Sequence, residues 1–419
     1  MLAILWIAPS WGAGYPYGQY ILRAGDTVSD SPPPLAGPVQ AAGDAAPVEA
    51  RLLELEEGGG PYSGDLAEVL AELAAHYRGR GDSEEALRLY RRALHVVRIN
   101  EGLYSERQAP LVRAELDIYR ERGHFAALDE RYDYYFRLFG GGRPPLTEVR
   151  LRAALGYLRW QREALRLGLP TRPERRLLDL VQLNGQMLDN ATASAGLPAQ
   201  ARARLALSQL NNLYLVQDMV PLVERDPFQA TAFAAPGSRQ DPAQQDFVQR
   251  RVQNLRSVAY AQGVDLLQGL IAGWPVAEDV EQLAALHLAL GDWHQWHDKW
   301  HSAAPHYQAV ERLLRENGRR DTLDRWLGAP VELPASGVFN GLPEQPLDAA
   351  DAAPAVTLSY DVDRRGRARN IATVALAPDQ ENAGMRVVRA LREVRFRPRW
   401  RGGAAQDSTG LLREYRLLR

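Results

Sequence analysis

Residues 65–97 read DLAEVLAELAAHYRGRGDSEEALRLYRRALHVV. Leu66, Val69, Leu70, Leu73, Ala74 and Tyr77 recur at helical spacing and make one apolar stripe. Asp65 stands where a helix cap is needed, with Glu68 three residues on to complete a capping box. Gly81 is a stop signal, because glycine accepts the left-handed backbone that ends many helices. Asp82 opens a second helix, with Glu85 as its box partner. Ala86, Leu87, Tyr90, Ala93, Leu94 and Val97 form the second stripe. Two amphipathic helices joined by a short turn are a hairpin. Small residues sit where its helices must approach closely.

The contact positions resemble those of the tetratricopeptide repeat (TPR). That family places a Leu, a small residue and a Tyr on its first helix, here Leu73, Ala74 and Tyr77. Its second helix carries Ala, an aromatic residue and Ala, here Ala86, Tyr90 and Ala93. The resemblance implies an α-solenoid of stacked hairpins that binds proteins or peptides. Leu70, Tyr77, Gly81 and Tyr90 recur 42 residues later as Val112, Tyr119, Gly123 and Tyr132. That spacing is similar to a long TPR variant, with Arg98–Gln108 as the extra turn and loop. Gly140–Pro145 interrupts the pattern. Leu146–Leu167, Arg175–Leu188, Gln200–Glu224 and Gln244–Ile271 read as helices without repeat signatures, with Asp226–Pro242 as a polar insertion. A third TPR-like hairpin carries Leu290 and Gly291, then Ala303, Tyr307 and Val310. Repeats bury their apolar faces only by stacking, so 61–326 is expected to form one array.

Outside the array, Leu2–Ala8 is an apolar run ended by Pro9, followed by the small residues Ser10 and Gly12. Residues 1–23 read as a secretory signal peptide, which points to export; the run is too short to span a bilayer. Residues 24–60 are rich in Pro, Ala and Gly and read as a flexible linker, with a short helix at Ala46–Leu55. Residues 327–353 read as a second linker. At 354–419 the period changes from 3.6 to 2. Val356, Leu358, Tyr360 and Val362 alternate as a half-buried strand, and Asp363–Gly366 is a turn into a second strand at Ala368–Leu376. A helix follows at Ala383–Val394, with a last strand at Leu411–Leu417.

This strand–strand–helix–strand order resembles the C-terminal domain of TonB-family proteins. The likeness lies in the alternating first strand, the Val362-Asp363 turn with Gly366, the helix, and Phe396-Arg-Pro398 with Gly402 or Gly403 after it. It implies a small α+β domain that adds an extended peptide to its sheet edge. An energy-transducing TonB has a membrane-spanning anchor, and no apolar run of 18 residues occurs in this sequence. The fold expectation is therefore mainly α: a TPR-like α-solenoid followed by a β-β-α-β domain.

Composition excludes several chemistries. There is no cysteine, hence no disulfide, thiolate metal site or cysteine nucleophile. The single lysine, Lys299, leaves no phosphate-loop or kinase lysine. Net charge is −2, but residues 354–419 hold 14 Arg against 7 acidic residues, leaving 36 basic and 45 acidic residues elsewhere.

His294, His297, His301 and His306, with Asp292 and Asp298 nearby, are a candidate metal cluster. The repeat register argues against it, because the interhelical turn falls near Asp298 and separates His297 from His301. No metal, cofactor or catalytic group is expected. Arg395, Arg397, Arg399 and Arg401 alternate, which in an extended segment puts all four on one face. With Trp293, Trp296 and Trp300 they are the candidate partner-binding residues. The functional expectation is an exported, non-enzymatic adaptor of the cell envelope that binds protein or extended-peptide partners. The alternatives are a cytosolic TPR protein with a basic nucleic-acid-contacting module, and a metal-dependent enzyme using the histidines.

Overall fold

Helical periodicity over the first three quarters of the chain becomes a succession of helices, and the alternating C-terminal segment becomes a small sheet. The structure, a computed structural model, describes residues 21–23, 45–166, 169, 172–193, 197–223, 242–275, 279–334, 355–376 and 381–417. The helices are α1 (Ala46–Gly59), α2 (Leu66–Gly79), α3 (Ser83–Glu101), α4 (Ala109–Glu121), α5 (Phe125–Leu138), α6 (Glu148–Arg166), α7 (Pro173–Ala193), α8 (Ala199–Val223), α9 (Pro242–Ala272), α10 (Val280–Trp296), α11 (Trp300–Glu316) and α12 (Arg320–Leu327). The strands are β1 (Ile21–Arg23), β2 (Val331–Leu333), β3 (Ala355–Val362), β4 (Ala368–Leu376), β5 (Arg395–Arg397), β6 (Arg399–Arg401), β7 (Ala404–Gln406) and β8 (Ser408–Leu417), with helix α13 (Glu381–Glu393) between β4 and β5.

The fold is mainly helical, and sequential helices pack on one another from α1 to α12. One core joins α1 to α6, a second joins α6 to α10, and a third lies between α10, α11 and α12. Leu73, Ala74, Ala86, Tyr90 and Ala93 are buried in the first, whereas Tyr77 is only partly buried and donates its hydroxyl to Glu49 at 2.8 Å. Glu49 belongs to α1, so the helical body begins at Ala46, inside the segment expected to be linker. Gly81 and Gly123 end their helices with φ of 85° and 65°. At Asp82 the side chain accepts from the Glu85 amide, but Glu85 turns to Arg88 instead of completing a box, and Asp65 makes no side-chain cap. Gly291 lets Tyr307 of α11 lie against α10: a Cβ there would be 2.7 Å from the Tyr307 ring.

The C-terminal sheet has strand order β1-β8-β3-β4, with every neighbour antiparallel. Val356, Leu358, Tyr360 and Val362 all face its core, where Val387 and Leu391 of α13 meet them. Three further short strands, β5 to β7, occupy the segment between α13 and β8. The expected linker at 327–353 is structured at its start. Leu327 ends α12, and Val331–Leu333 pairs antiparallel with Arg395–Arg397. The apolar run Leu2–Ala8 and most of the insertion Asp226–Pro242 lie outside the described residues. Among the described residues, no helix is long and apolar enough to cross a membrane.

Candidate functional site

The residues singled out from the sequence converge at the seam where α10, α11 and α12 meet the C-terminal domain. Asp292 lies on the face of α10 turned toward β5. Its carboxylate accepts from Arg397 Nε at 2.8 Å and Nη2 at 2.6 Å, while Arg397 Nη1 donates to the Trp326 carbonyl at 2.6 Å. Tyr307 donates its hydroxyl to the same carboxylate at 3.0 Å. Burial alone would lower the Arg397 pKa, but the Asp292 carboxylate outweighs it and holds the guanidinium above its usual value. Burial and the same carboxylate push the Tyr307 phenol well up.

Three further contacts close the seam. Gln295 Nε2 donates to the carbonyls of Arg365 at 2.7 Å and Phe396 at 3.0 Å. This requires glycine at 366, where φ is 73° and a Cβ would lie 2.0 Å from the Phe396 oxygen. Glu311, buried on α11, accepts from Trp400 Nε1 at 2.9 Å and from the Gly402 and Gly403 amides at 3.1 and 2.7 Å. Asp298, at φ 61°, pairs with Arg367 at 2.6 Å and Arg395 at 3.7 Å. Beside them, the Tyr415 hydroxyl donates to Glu332 of β2 at 2.7 Å, and burial followed by that carboxylate pushes the phenol up.

These contacts correct the picture of an arginine face. Arg397 is 4% exposed and committed to Asp292, and Arg395 is half-buried beside Asp298. Of the four, only Arg401 is fully exposed, with Arg399 intermediate. Trp293 is likewise a core residue at 0% exposure, donating Nε1 to the Tyr260 carbonyl at 3.0 Å. Trp296 is half-buried against Tyr214, and Trp300 packs near Trp400 with ring centroids 6.0 Å apart. The candidate residues thus mainly build an internal joint. Its polar partners on the helices, the acceptors Asp292 and Glu311 and the donor Gln295, carry no signal in a linear reading beyond ordinary helical polarity.

Cavities open on the helical body. One, of about 530 Å³, is lined by Asp129, Asp133, Tyr157, Arg172, Arg175 and Arg176 among others. The second, about 520 Å³, is lined by Arg91, Tyr119, Arg131, Tyr134 and Arg137 and shares Asp133 with the first. The Asp129 carboxylate holds Arg176 and accepts from Trp160 Nε1 at 2.7 Å, so part of the first lining is internally neutralised. Glu115, fully buried, lies 3.2 Å from Arg131 Nε. Burial pushes its carboxyl up to about 7 against the pull of Arg131, Arg91 and Arg98.

The histidines also fall into place. His294 lies in the last turn of α10, and His301 lies beyond the Asp298 turn on α11, exposed to solvent. His306 faces His287, a residue outside the candidate cluster. Among the described residues, no group of three His, Asp or Glu side chains is arranged to hold a metal ion.

The sheet presents two edges. Ile21–Arg23 pairs with Leu417, Arg416 and Tyr415 along β8, which puts the end of the expected signal segment against the C-terminal domain. Along the other edge, no described strand pairs with the outer side of β4. Arg369, Asn370 and Ala372 to Ala375 are exposed there, with Val374 at 56%. No family model matches the chain, and no curated protein matches it.

Proposed function

We propose that this chain is a non-enzymatic adaptor of the cell envelope, a TPR-like array carrying a TonB-like domain, and that it captures extended protein segments. The observation that carries this reading is the outer side of β4. A strand with unpaired amides and carbonyls is a template for another extended chain. From Asn370 to Leu376 the strand is uncharged and contains no proline. Its one charge, Arg369, is drawn to Asp363 at 3.2 Å. Main-chain pairing would supply affinity there, and Val374 with its exposed neighbours would select side chains. The seam holds this edge in a set orientation to the helical body, whose cavities offer the partner a second, polar contact. Export is supported by the Leu2–Ala8 run. The nucleic-acid alternative loses support, because Arg397 and Arg395 are taken by Asp292 and Asp298.

A photoreactive residue at Val374, introduced in intact cells, tests the reading. It should capture a discrete protein partner. Successive amides of a strand point to opposite edges. Of Ala372→Pro and Thr373→Pro, which pair in regular register with Ser359 and Leu358, one therefore removes an outward donor, and that variant should abolish capture. Capture of nothing, or capture indifferent to both prolines, would sink the proposal.

A further inference from the structure

The C-terminal end of α10 carries both the grip on the C-terminal domain and a run of imidazoles. His287 Nδ1 and His306 Nδ1 stand 3.1 Å apart, so one nitrogen must donate and the other accept. The His306 ring stacks on His294, with centroids 5.5 Å apart. His294 Nδ1 lies 2.9 Å from the Tyr260 hydroxyl. The edge of Tyr260 meets His297 at 4.8 Å. His297 is also boxed by Trp293 at 4.4 Å and Trp296 at 5.0 Å, and its buried Nε2 has no hydrogen-bond partner among the described residues. The run is thus continuous from His287 to His297, across α9, α10 and α11.

The run holds neutral imidazoles well and charged ones badly. Two protonated rings at 287 and 306 would set N–H against N–H. A proton on His297 Nε2 would find aromatic carbon and no acceptor. The groups facing the run offer no relief. Helix α9 contributes Tyr260. Helix α11 contributes Arg312, whose charge acts on His287. The interhelical turn contributes Lys299, whose charge acts on His297, and Asp298, whose carboxylate is turned to Arg367 and Arg395. Helix α8 contributes Tyr214, against Trp293 and Trp296. Asp292 is committed to Arg397 and Tyr307, and His301 is exposed. Burial first, then the neighbouring imidazoles and cations, lowers His306 and His297 to about 4, and burial lowers His287 and His294 as well.

We propose that the His287–His306–His294–His297 run is an acid-sensitive latch, in which proton uptake loosens the hold of Gln295 and Asp298 on the C-terminal domain. The coupling is direct. Gln295 and Asp298 flank His297 along the chain, and a charged ring leaving the Trp293–Trp296 box displaces both. Each of these histidines binds fewer protons latched than released. The latched form is therefore unweakened above about pH 6.5 and loses ground progressively down to about pH 4. For full release of one ring, from about 4 to about 6.5, the opening equilibrium rises about 30-fold between pH 7.5 and pH 5.

The chain has no cysteine, so a dye pair can be placed through Glu316→Cys and Thr409→Cys, both at exposed positions on opposite sides of the seam. Energy transfer in the full-length protein should fall between pH 6.5 and 4.5 while helical circular dichroism stays constant. Replacing His287, His297 and His306 together by Gln should remove that fall. Should the triple variant not fold, His306→Gln alone must make the transition less steep. Transfer that is flat with pH, that falls only as helicity is lost, or that falls identically in the variants would overturn the latch.

Discussion

Asp292 on α10 and Arg397 on β5, 105 residues apart, form a two-pronged ion pair buried at 6% and 4% exposure. An isolated buried charge is costly, so removing one partner of such a pair typically costs about 3–5 kcal/mol. Arg397→Ala and Asp292→Ala should each destabilise the chain on that scale, measured by urea unfolding at pH 7. The double variant Asp292→Leu with Arg397→Met should recover much of the loss, since apolar replacement leaves no orphaned charge. Equal loss in single and double variants would mean that the pair contributes little beyond packing.

The seam also decides which fragment folds. Residues 342–419 contain the whole β3–β4–α13–β8 core, and their change of period marks a separable domain. Cut there, however, the fragment loses β2 and exposes Arg397 and Trp400, which α10 to α12 normally cover. A sheet this small has little apolar area in reserve. Amide spectra of 342–419 should be poorly dispersed, whereas 280–419, which restores α10 to β2, should give a dispersed spectrum. Well-dispersed amides from the shorter fragment would show that the seam is dispensable for folding.

Glu115 makes stability fall with rising pH, opposite in sign to the histidines. Its folded pKa of about 7 lies above the usual 4.5, so the folded form binds the proton more tightly. Its contribution is fully present below about pH 4.5 and is lost as pH rises through about 7. The difference of about 2.5 units corresponds to about 3 kcal/mol. Glu115→Gln should therefore raise the thermal midpoint at pH 8 and leave it nearly unchanged at pH 5. A variant that destabilises equally at both values would place an ionised Glu115 in a true ion pair with Arg131.

Local periodicity was enough to read the helices of the body and the alternation of β3. A stripe at Leu66, Val69, Leu70 and Leu73, or at Val356, Leu358, Tyr360 and Val362, states which side of an element is apolar, whatever it packs against. Gly81 and Gly123 likewise mark helix ends through backbone conformation alone. Tertiary structure decided everything that depends on which elements meet. The arginine alternation from 395 to 401 predicts a solvated face, yet Arg397 is buried because Asp292, far away in sequence, supplies the countercharge. Val331–Leu333 sits in a linker-like composition and becomes a strand only because β5 offers it partners. His287 joins the histidine run only because α10 and α11 bring it against His306. The hydrophobic pattern is a property of a segment. A buried charge pair, a strand ladder or an imidazole contact is a property of two segments, and their separation along the chain carries no periodic signal.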